Sequence, residues 1–387
     1  MVVLLKQREL SALFLFSSNS NNWEQQCSLI KIYEKMNKEL LKTLLKTSSP
    51  SGYEKEATEV FNKHCSSFAK HEFTDKMGNS CWKVGDGPKK IMISAHIDEI
   101  GMQVQYITDK GMIHFIPLGG IDVKTLFGSE VTIHGKAGKI SGVIGKKPIH
   151  CESYDEREST KIKIEDLIID IGCETKEEVL DLLEIGAPIT FSSQPLIKFG
   201  KNRIVSKGLD DKIGIFIVME VLEKLNKIDP VLLNEVTVYG VSNTQEEVGL
   251  RGAKVTSKRI NPDISIDIDV TFATDEGRGI QPEKYGEVEL GKGTIIQNGS
   301  DKSEKLVRLM IDTAKEKNIP YQVISSRCGG TNTEAIQEGA FDCETALISI
   351  PNRNMHTQVE ICDWRDIEAS INLITETIVK LSDRGNL

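Results

Sequence analysis

Four mainly apolar runs, each long enough to form a buried β-strand, are the feature that most constrains how this chain can fold. The runs are residues 89–95 (KKIMISA), 235–244 (EVTVYGVSNT), 262–270 (PDISIDIDV) and 344–352 (ETALISIPN). Strands of this composition are buried on both faces, which is typical of a parallel sheet covered by helices. Helical periodicity occurs between the runs, at residues 212–228 and 303–319. This alternation predicts an α/β fold with an open sheet flanked by helices.

A glycine-rich segment interrupts the alternation between residues 106 and 196. It contains short β-like runs and one acidic helical pattern, KEEVLDLLEIG at residues 176–186, which together predict a small β-rich domain inserted into the larger one. A chain of 387 residues also exceeds the length at which a single core stops growing. We therefore expect a main domain formed by residues 36–105 and 197–387 and an inserted domain formed by residues 106–196.

The composition excludes several classes of protein. Hydrophobic residues make up 39% and charged residues 27% of the chain, which is sufficient to bury a core. The net charge is −9 and no lysine or arginine block is long enough to follow a phosphate backbone, so we expect no nucleic-acid partner. The eight cysteines are scattered without a CxxC pair. This pattern favours reduced thiols in a cytoplasmic protein and argues against a zinc site built from cysteine.

The first 35 residues differ from the rest of the chain. Their apolar stretch, LSALFLF at residues 10–16, follows a mixed-charge segment. It is too short to span a bilayer and is a poor secretory signal. We expect residues 1–35 to form a poorly ordered extension upstream of a biological start at Met36, with a cleaved targeting peptide as the alternative. No membrane partner is expected.

Polar side chains follow the four apolar runs. They are His96 and Asp98 after the first run, Glu246 and Glu247 after the second, Asp269 at the end of the third and His356 after the fourth. Ligands of open α/β sheets bind beyond the carboxyl ends of the strands, so we expect these residues to lie together. Asp210 and Asp211 precede the helical segment at 212–228 and are candidates for the same site.

Histidines and carboxylates gathered at one edge of a sheet are ligands that suit a divalent ion such as zinc. Each residue also has a simpler interpretation. The Asp210–Asp211 pair is typical of a helix N-cap. The two glutamates could be solvated in a loop, and either histidine could simply form a hydrogen bond at the surface. The metal hypothesis rests on the whole set, because independent surface residues would not all be placed at one edge of the sheet. One glutamate would then bind metal while the other handles protons.

Five motifs, in order, resemble the tetrahedral (TET-type) aminopeptidase family. They are SAHIDEIG, KGLDDKIG, TQEEVGLRGA, DIDVTFA and SIPNRNMHT. The resemblance extends from Met36 to the C-terminus and includes SPSGYE at residues 49–54. This family comprises dinuclear-metal exopeptidases, including glutamyl and deblocking aminopeptidases, and some members have been labelled cellulases or endoglucanases.

The resemblance implies a zinc-peptidase-like open mixed sheet with an inserted β-barrel used for oligomerisation, and homo-oligomers from dimers to dodecamers that act on peptides. It also implies two divalent ions per subunit, zinc or alternatively cobalt or manganese. Its site residues are His96 and Asp269 on one ion, Glu247 and His356 on the other, Asp210 bridging both, Glu246 as general base acting on a metal-bridging water, and Asp98 orienting His96.

Two positions depart from the family pattern. Asn332 occurs in GGTNTEA where GGTD is expected, and Lys212 follows the aspartate pair where arginine is common. The pocket that selects the substrate side chain is expected around residues 278–284 and 326–333. The alternatives to an aminopeptidase are a dinuclear deacylase or carboxypeptidase, a glycosidase acting without metal, and a non-catalytic assembly module that retains a metal site.

Overall fold

The computed structural model describes residues 36–154, 162–228, 233–275, 277, 279–325 and 330–382. The predicted N-terminal extension, residues 1–35, lies outside the described residues. In chain order, the helices are α1 (Lys38–Leu45), α2 (Lys55–Cys65), α3 (Lys176–Leu182), α4 (Leu209–Lys227), α5 (Arg251–Ile260), α6 (Pro282–Tyr285), α7 (Glu304–Glu316), α8 (Asn332–Gly339) and α9 (Trp364–Leu381).

The strands are numbered in the same way. They are β1 (Lys70–Thr74), β2 (Ser80–Val84), β3 (Lys89–His96), β4 (Gly101–Ile107), β5 (Ile113–Leu118), β6 (Glu130–Gly135), β7 (Gly138–Gly145), β8 (Ile168–Asp170), β9 (Pro188–Phe191), β10 (Leu196–Phe199), β11 (Arg203–Ser206), β12 (Val236–Asn243), β13 (Ile264–Phe272), β14 (Thr294–Asn298), β15 (Tyr321–Ser325), β16 (Glu344–Asn352) and β17 (Glu360–Asp363).

The central sheet has eight strands in the order β1-β2-β12-β3-β13-β16-β14-β15. The four predicted runs form β12, β3, β13 and β16, which are adjacent and mutually parallel. On either side of them, β2 is antiparallel to β12 and β14 is antiparallel to β16. The prediction of an open mixed α/β sheet is therefore confirmed, and the carboxyl ends of the four parallel strands meet at one edge.

Helix α4 is the centre of the main core. It packs on strands β3, β12 and β13 on one side and on helices α1, α2 and α9 on the other. Its apolar side chains are consequently buried around the whole circumference, including Phe216, Ile217 and Val221. A helix that is apolar on all sides requires such an enclosed position, and full burial of one of these side chains contributes about 1.5–3 kcal/mol. This packing fixes the start of α4 beneath the sheet edge.

The inserted segment forms a closed barrel with the strand order β4-β5-β8-β7-β6-β9. The barrel encloses its own core, which includes Met102, Ile113, Val131 and Ile169. This confirms the predicted small β-barrel. Its strands run from Gly101 to Phe191, so the first begins five residues before the expected boundary at residue 106, and we retain the division into domains as a proposal. In the described part of the chain, no helix combines the length and the hydrophobicity needed to cross a membrane.

Candidate metal centre

The polar residues predicted at the strand ends lie around one cavity. His96 is the last residue of β3, and Glu246 and Glu247 occupy the turn after β12. Asp269 was expected to end its strand, which was wrong: β13 continues to Phe272 because Asp269–Phe272 pair with Ser349–Asn352 of β16. His356 follows β16 by four residues and is held there by the contacts described below.

His96 is buried and its two ring nitrogens have different partners. Nδ1 lies 3.0 Å from the main-chain carbonyl oxygen of Asp98, which can only accept, so Nδ1 carries the proton and donates. Nε2 therefore faces the cavity. It lies 3.0 Å from Asp210 Oδ1, 3.9 Å from Asp269 Oδ1 and 4.0 Å from Glu246 Oε2.

His356 is oriented in the same way from the opposite side. Its Nδ1 donates to the carbonyl oxygen of Gly120 at 2.6 Å, in the loop that follows barrel strand β5. Its Nε2 lies 3.2 Å from Asp210 Oδ2 and 3.5 Å from Glu247 Oε1. Asp210 thus presents one carboxylate oxygen to each histidine, and the inserted domain contributes to the orientation of one of them.

Two triads of potential ligand atoms share Asp210, one with His96 and Asp269 and the other with Glu247 and His356, and in each the atoms lie within 4.8 Å of one another. His96, Glu246 and Glu247 form a third group of this kind. The residues that the family resemblance assigned to two ions are therefore brought together, and Glu246 is adjacent to both triads.

The aspartate pair at the start of α4 has two separate contacts. Asp210 faces the histidines, and its amide donates to Glu360 Oε2 at 3.0 Å. Asp211 Oδ1 accepts the amide hydrogen of Gly214 at 3.0 Å, which is a helix-capping bond. The alternative interpretation as an N-cap therefore applies to Asp211, whereas Asp210 belongs to the site.

The electrostatics of the site favour a cation. Burial and the neighbouring carboxylates raise the pKa of both Glu246 and Glu247 to about 8, and burial with Asp210 raises the pKa of Asp269 well above its usual range. Burial opposes ionisation of Asp210 as well, but hydrogen bonds from the two histidines hold its pKa below its usual range. These shifts arise because several carboxylates share a buried space with only two imidazoles. A divalent ion would offset the repulsion between the carboxylates, and this donor set fits such an ion.

Asp98 holds the two glutamates as well as touching His96. Its Oδ1 accepts the amide hydrogen of Glu246 at 3.0 Å, and its Oδ2 accepts that of Glu247 at 3.2 Å. The carboxylate of Asp98 lies 3.5 Å from His96 Nδ1. The main-chain carbonyl oxygen of Asp98 is closer, at 3.0 Å, and accepts the Nδ1 proton. Asp98 consequently fixes the turn that carries the glutamates.

Sequence reasoning missed Glu360. Its Oε1 accepts the amide hydrogen of His356 at 2.9 Å and its Oε2 accepts that of Asp210, so one buried carboxylate holds two residues of the site. Burial raises its pKa well above the usual range. The sequence contains one indication of this residue, which is that Glu360 lies between the apolar residues Val359 and Ile361, four positions after His356.

The cavity has a volume of about 840 Å3. Beyond the site, Phe272, Tyr285 and Ile324 line it, and the rings of Phe272 and Tyr285 meet edge to face at 5.6 Å. From the predicted pocket segments, Lys284, Gly330 and Thr331 also line it, whereas residues 278 and 326–329 lie outside the described part of the chain.

The two departures from the family pattern are both buried. Asn332 is the first residue of α8, and its side-chain oxygen has no hydrogen-bond partner among the described residues. Lys212 donates to Glu99 and to the carbonyl oxygen of Thr47, each at 3.0 Å. Lys212 thus belongs to an ion cluster behind the site.

Comparison with known proteins decides the family. The sequence profile of the M42 glutamyl aminopeptidase family matches residues 78–373, which is more than half of the chain. The chain belongs to the M42 peptidase family. Among its M42 relatives is the lysyl aminopeptidase of Pyrococcus furiosus, which is 32% identical over 348 residues and covers 89% of this chain and 97% of the relative.

Solved structures of TET peptidases have the same fold as this M42 chain. The TET aminopeptidase of the marine sediment archaeon Thaumarchaeota archaeon SCGC AB-539-E09 has a TM-score of 0.84 and 31% identity, covering 90% of this chain and 97% of its own. The TET1 peptidase of Pyrococcus horikoshii, described as able to assemble into a tetrahedron or a large octahedral shell, has a TM-score of 0.77 and 31% identity, with coverages of 87% and 98%. The TET-type resemblance and the expected aminopeptidase class are thereby confirmed at the level of the family.

Proposed function

We propose that the protein is an aminopeptidase that depends on two divalent ions and releases residues from the N-terminus of peptides. The observation that carries the proposal is the position of Asp210, which presents one oxygen to His96 and the other to His356. Asp269 completes the triad with His96 and Glu247 completes the triad with His356, while Glu246 lies beside both and belongs to neither. A single-ion site would need neither the shared carboxylate nor the second triad.

In this proposal one ion is held by His96, Asp210 and Asp269 and the other by Asp210, Glu247 and His356. Bound divalent ions polarise a peptide carbonyl and lower the pKa of water. Imidazole and carboxylate ligands suit zinc, with cobalt and manganese as alternatives. The main-chain carbonyls of Asp98 and Gly120 accept the Nδ1 protons of the two histidines and so direct both Nε2 atoms into the cavity. An ion would bind there in place of the Nε2 proton.

Glu246 is proposed as the general base. Its carboxylate lies beside His96 without being required by either triad, and its amide is anchored to Asp98. From there Glu246 takes the proton of the attacking water and delivers it to the leaving amine. The positive charge of a free peptide N-terminus pairs with an acidic neighbour in the cavity, which accounts for removal of single terminal residues. The aromatic wall formed by Phe272 and Tyr285 contacts the side chain of the substrate.

We also propose that the chain forms homo-oligomers, from dimers to dodecamers, through the inserted domain at residues 106–196. Support comes from the TET1 peptidase of Pyrococcus horikoshii and from exposed apolar side chains on this part of the surface. Tyr106, Val143, Ile149 and Tyr154 are each more than half exposed, and large exposed apolar residues commonly mark contact surfaces.

The proposed function is tested with a panel of aminoacyl chromogenic substrates, assayed with and without a chelator and after addition of zinc, cobalt or manganese. We expect cleavage that the chelator abolishes and a divalent ion restores, because both triads lack a counter-charge without an ion. An N-acetylated copy of the best substrate should resist cleavage. Chelator-resistant activity would contradict the metal mechanism, and cleavage of only the acylated substrates would favour the deacylase alternative.

A further inference from the structure

The loop between α1 and α2, residues 46–54, lies directly behind the two glutamates of the site. We refer to it as the α1–α2 loop. Ser51 in this loop is 4% exposed and Asp98 is fully buried. The hydroxyl of Ser51 donates to Asp98 Oδ2 at 2.6 Å. This is a short hydrogen bond to a carboxylate, and such bonds are roughly twice as strong as neutral ones.

The hydroxyl of Ser51 shares its acceptor with the turn that carries the glutamates. Asp98 Oδ2 also accepts the amide hydrogen of Glu247, and Oδ1 accepts that of Glu246. The terminal torsion of an aspartate has a broad energy minimum, so partners decide the plane of the carboxylate. Ser51 supplies the one side-chain hydroxyl that Asp98 contacts among the described hydrogen bonds, and it thereby fixes the plane that receives both amides.

A second contact joins the α1–α2 loop to the same turn. Glu54 Oε1 accepts the amide hydrogens of Gly52 at 2.7 Å and of Gln245 at 3.1 Å. Gln245, which immediately precedes Glu246, has a φ of 56°. Residues with a side chain disfavour this left-handed conformation, so the turn needs support from outside.

We infer that the α1–α2 loop positions Glu246 and Glu247, and that Ser51 is a positioning residue that acts through the carboxylate of Asp98. The inference rests on the proposed function, because it takes Glu246 as the base and Glu247 as a metal ligand. It assigns a role in the reaction to a serine whose hydroxyl bonds to Asp98 rather than to any of the proposed metal ligands or to the substrate.

The test compares Ser51→Ala with Ser49→Ala. Ser49 is a matched control, because it is fully buried in the same loop and its hydroxyl has no hydrogen-bond partner among the described residues. For Ser51→Ala we expect kcat to fall about 10-fold with KM within about twofold, and the calorimetric affinity for cobalt or zinc to fall about 10-fold, as for other residues that orient metal ligands. Ser49→Ala should change none of these quantities. Ser51→Cys, which keeps a donor hydrogen at this position but donates more weakly, should be intermediate.

A double-mutant cycle separates action through Asp98 from a general effect on the fold. In an Asp98→Ala background, which has no side-chain acceptor at position 98, Ser51→Ala should cause no further loss of metal affinity or kcat. A loss by the same factor in both backgrounds would overturn the inference, as would unchanged metal affinity in folded Ser51→Ala. If Ser51→Ala does not fold, the Ser51→Cys variant decides by the same criteria. If the unmodified protein cleaves no peptide but Ser51→Ala weakens metal binding, the proposed function fails while the positioning role stands.

Discussion

Glu246→Gln should lower kcat by about 10²–10⁴-fold, the contribution typical of a general base, without releasing metal. Glutamine has the same shape as glutamate but cannot take a proton at pH 7. The turn itself should persist, because the contact with Asp98 uses the main-chain amide of residue 246. Both proposed ligand triads are complete without Glu246. The measurements are kcat on the best aminoacyl substrate and metal content of the purified variant.

Glu247→Gln is the matched comparison, because it makes the same change at the adjacent residue. Its side chain lies 3.5 Å from His356 Nε2 and completes one triad, so this variant should lose affinity for one ion as well as activity. Full activity of Glu246→Gln would exclude Glu246 as the base. Loss of an ion from Glu246→Gln to the same extent as from Glu247→Gln would make Glu246 a ligand.

Glu99→Gln should destabilise the protein by about 3–5 kcal/mol, the cost of removing one partner from a buried ion pair. Glu99 accepts from Lys207 Nζ at 2.7 and 2.8 Å and from Lys212 Nζ at 3.0 Å, and all three side chains are buried. Glutamine would leave two buried ammonium groups without a counter-charge. The measurement is the free energy of unfolding in urea at one fixed protein concentration.

Glu316→Gln is the control for Glu99→Gln. Glu316 also forms a short ion pair, with Lys380, but its side chain is 58% exposed. Its replacement should therefore lower the free energy of unfolding by at most about 1 kcal/mol.

The same cluster predicts how stability responds to acid. Burial alone would raise the pKa of Glu99, but Lys207 and Lys212 outweigh it and hold the pKa at about 2, below the ordinary value of 4.5. The contribution of Glu99 is therefore complete above pH 4.5 and is lost as the pH falls from 4.5 towards 2. The difference in unfolding free energy between the unmodified protein and Glu99→Gln should narrow over this interval. A difference that stays constant would show that the fold does not lower the pKa of Glu99.

Much of the framework follows from local sequence. The runs that become β3, β12, β13 and β16 are mainly apolar on both faces of the strand, which is typical of strands covered on both sides. Parallel strands place their carboxyl ends on one edge, so polar residues after each run were bound to meet there, even though Asp269 lies within its strand. The glycine-punctuated insert was identifiable as a small β domain for the same reason, since short alternating runs cannot continue a doubly covered sheet.

What only the tertiary structure decided is which polar group contacts which. The bonds of Ser51 to Asp98, of Asp210 to Glu360 and of His356 to Gly120 join residues 47, 150 and 236 positions apart. Hydrogen bonds depend on distances of tenths of an ångström and on direction, whereas hydrophobic periodicity fixes only which face of an element is buried. The sequence therefore determined the sheet, its polar edge and the chemical type of the site. The packing of α4, the barrel loop and the α1–α2 loop determined that Asp210 faces both histidines and that Asp211 caps the helix. It also determined that Ser51 and Glu360 hydrogen-bond to residues of the site.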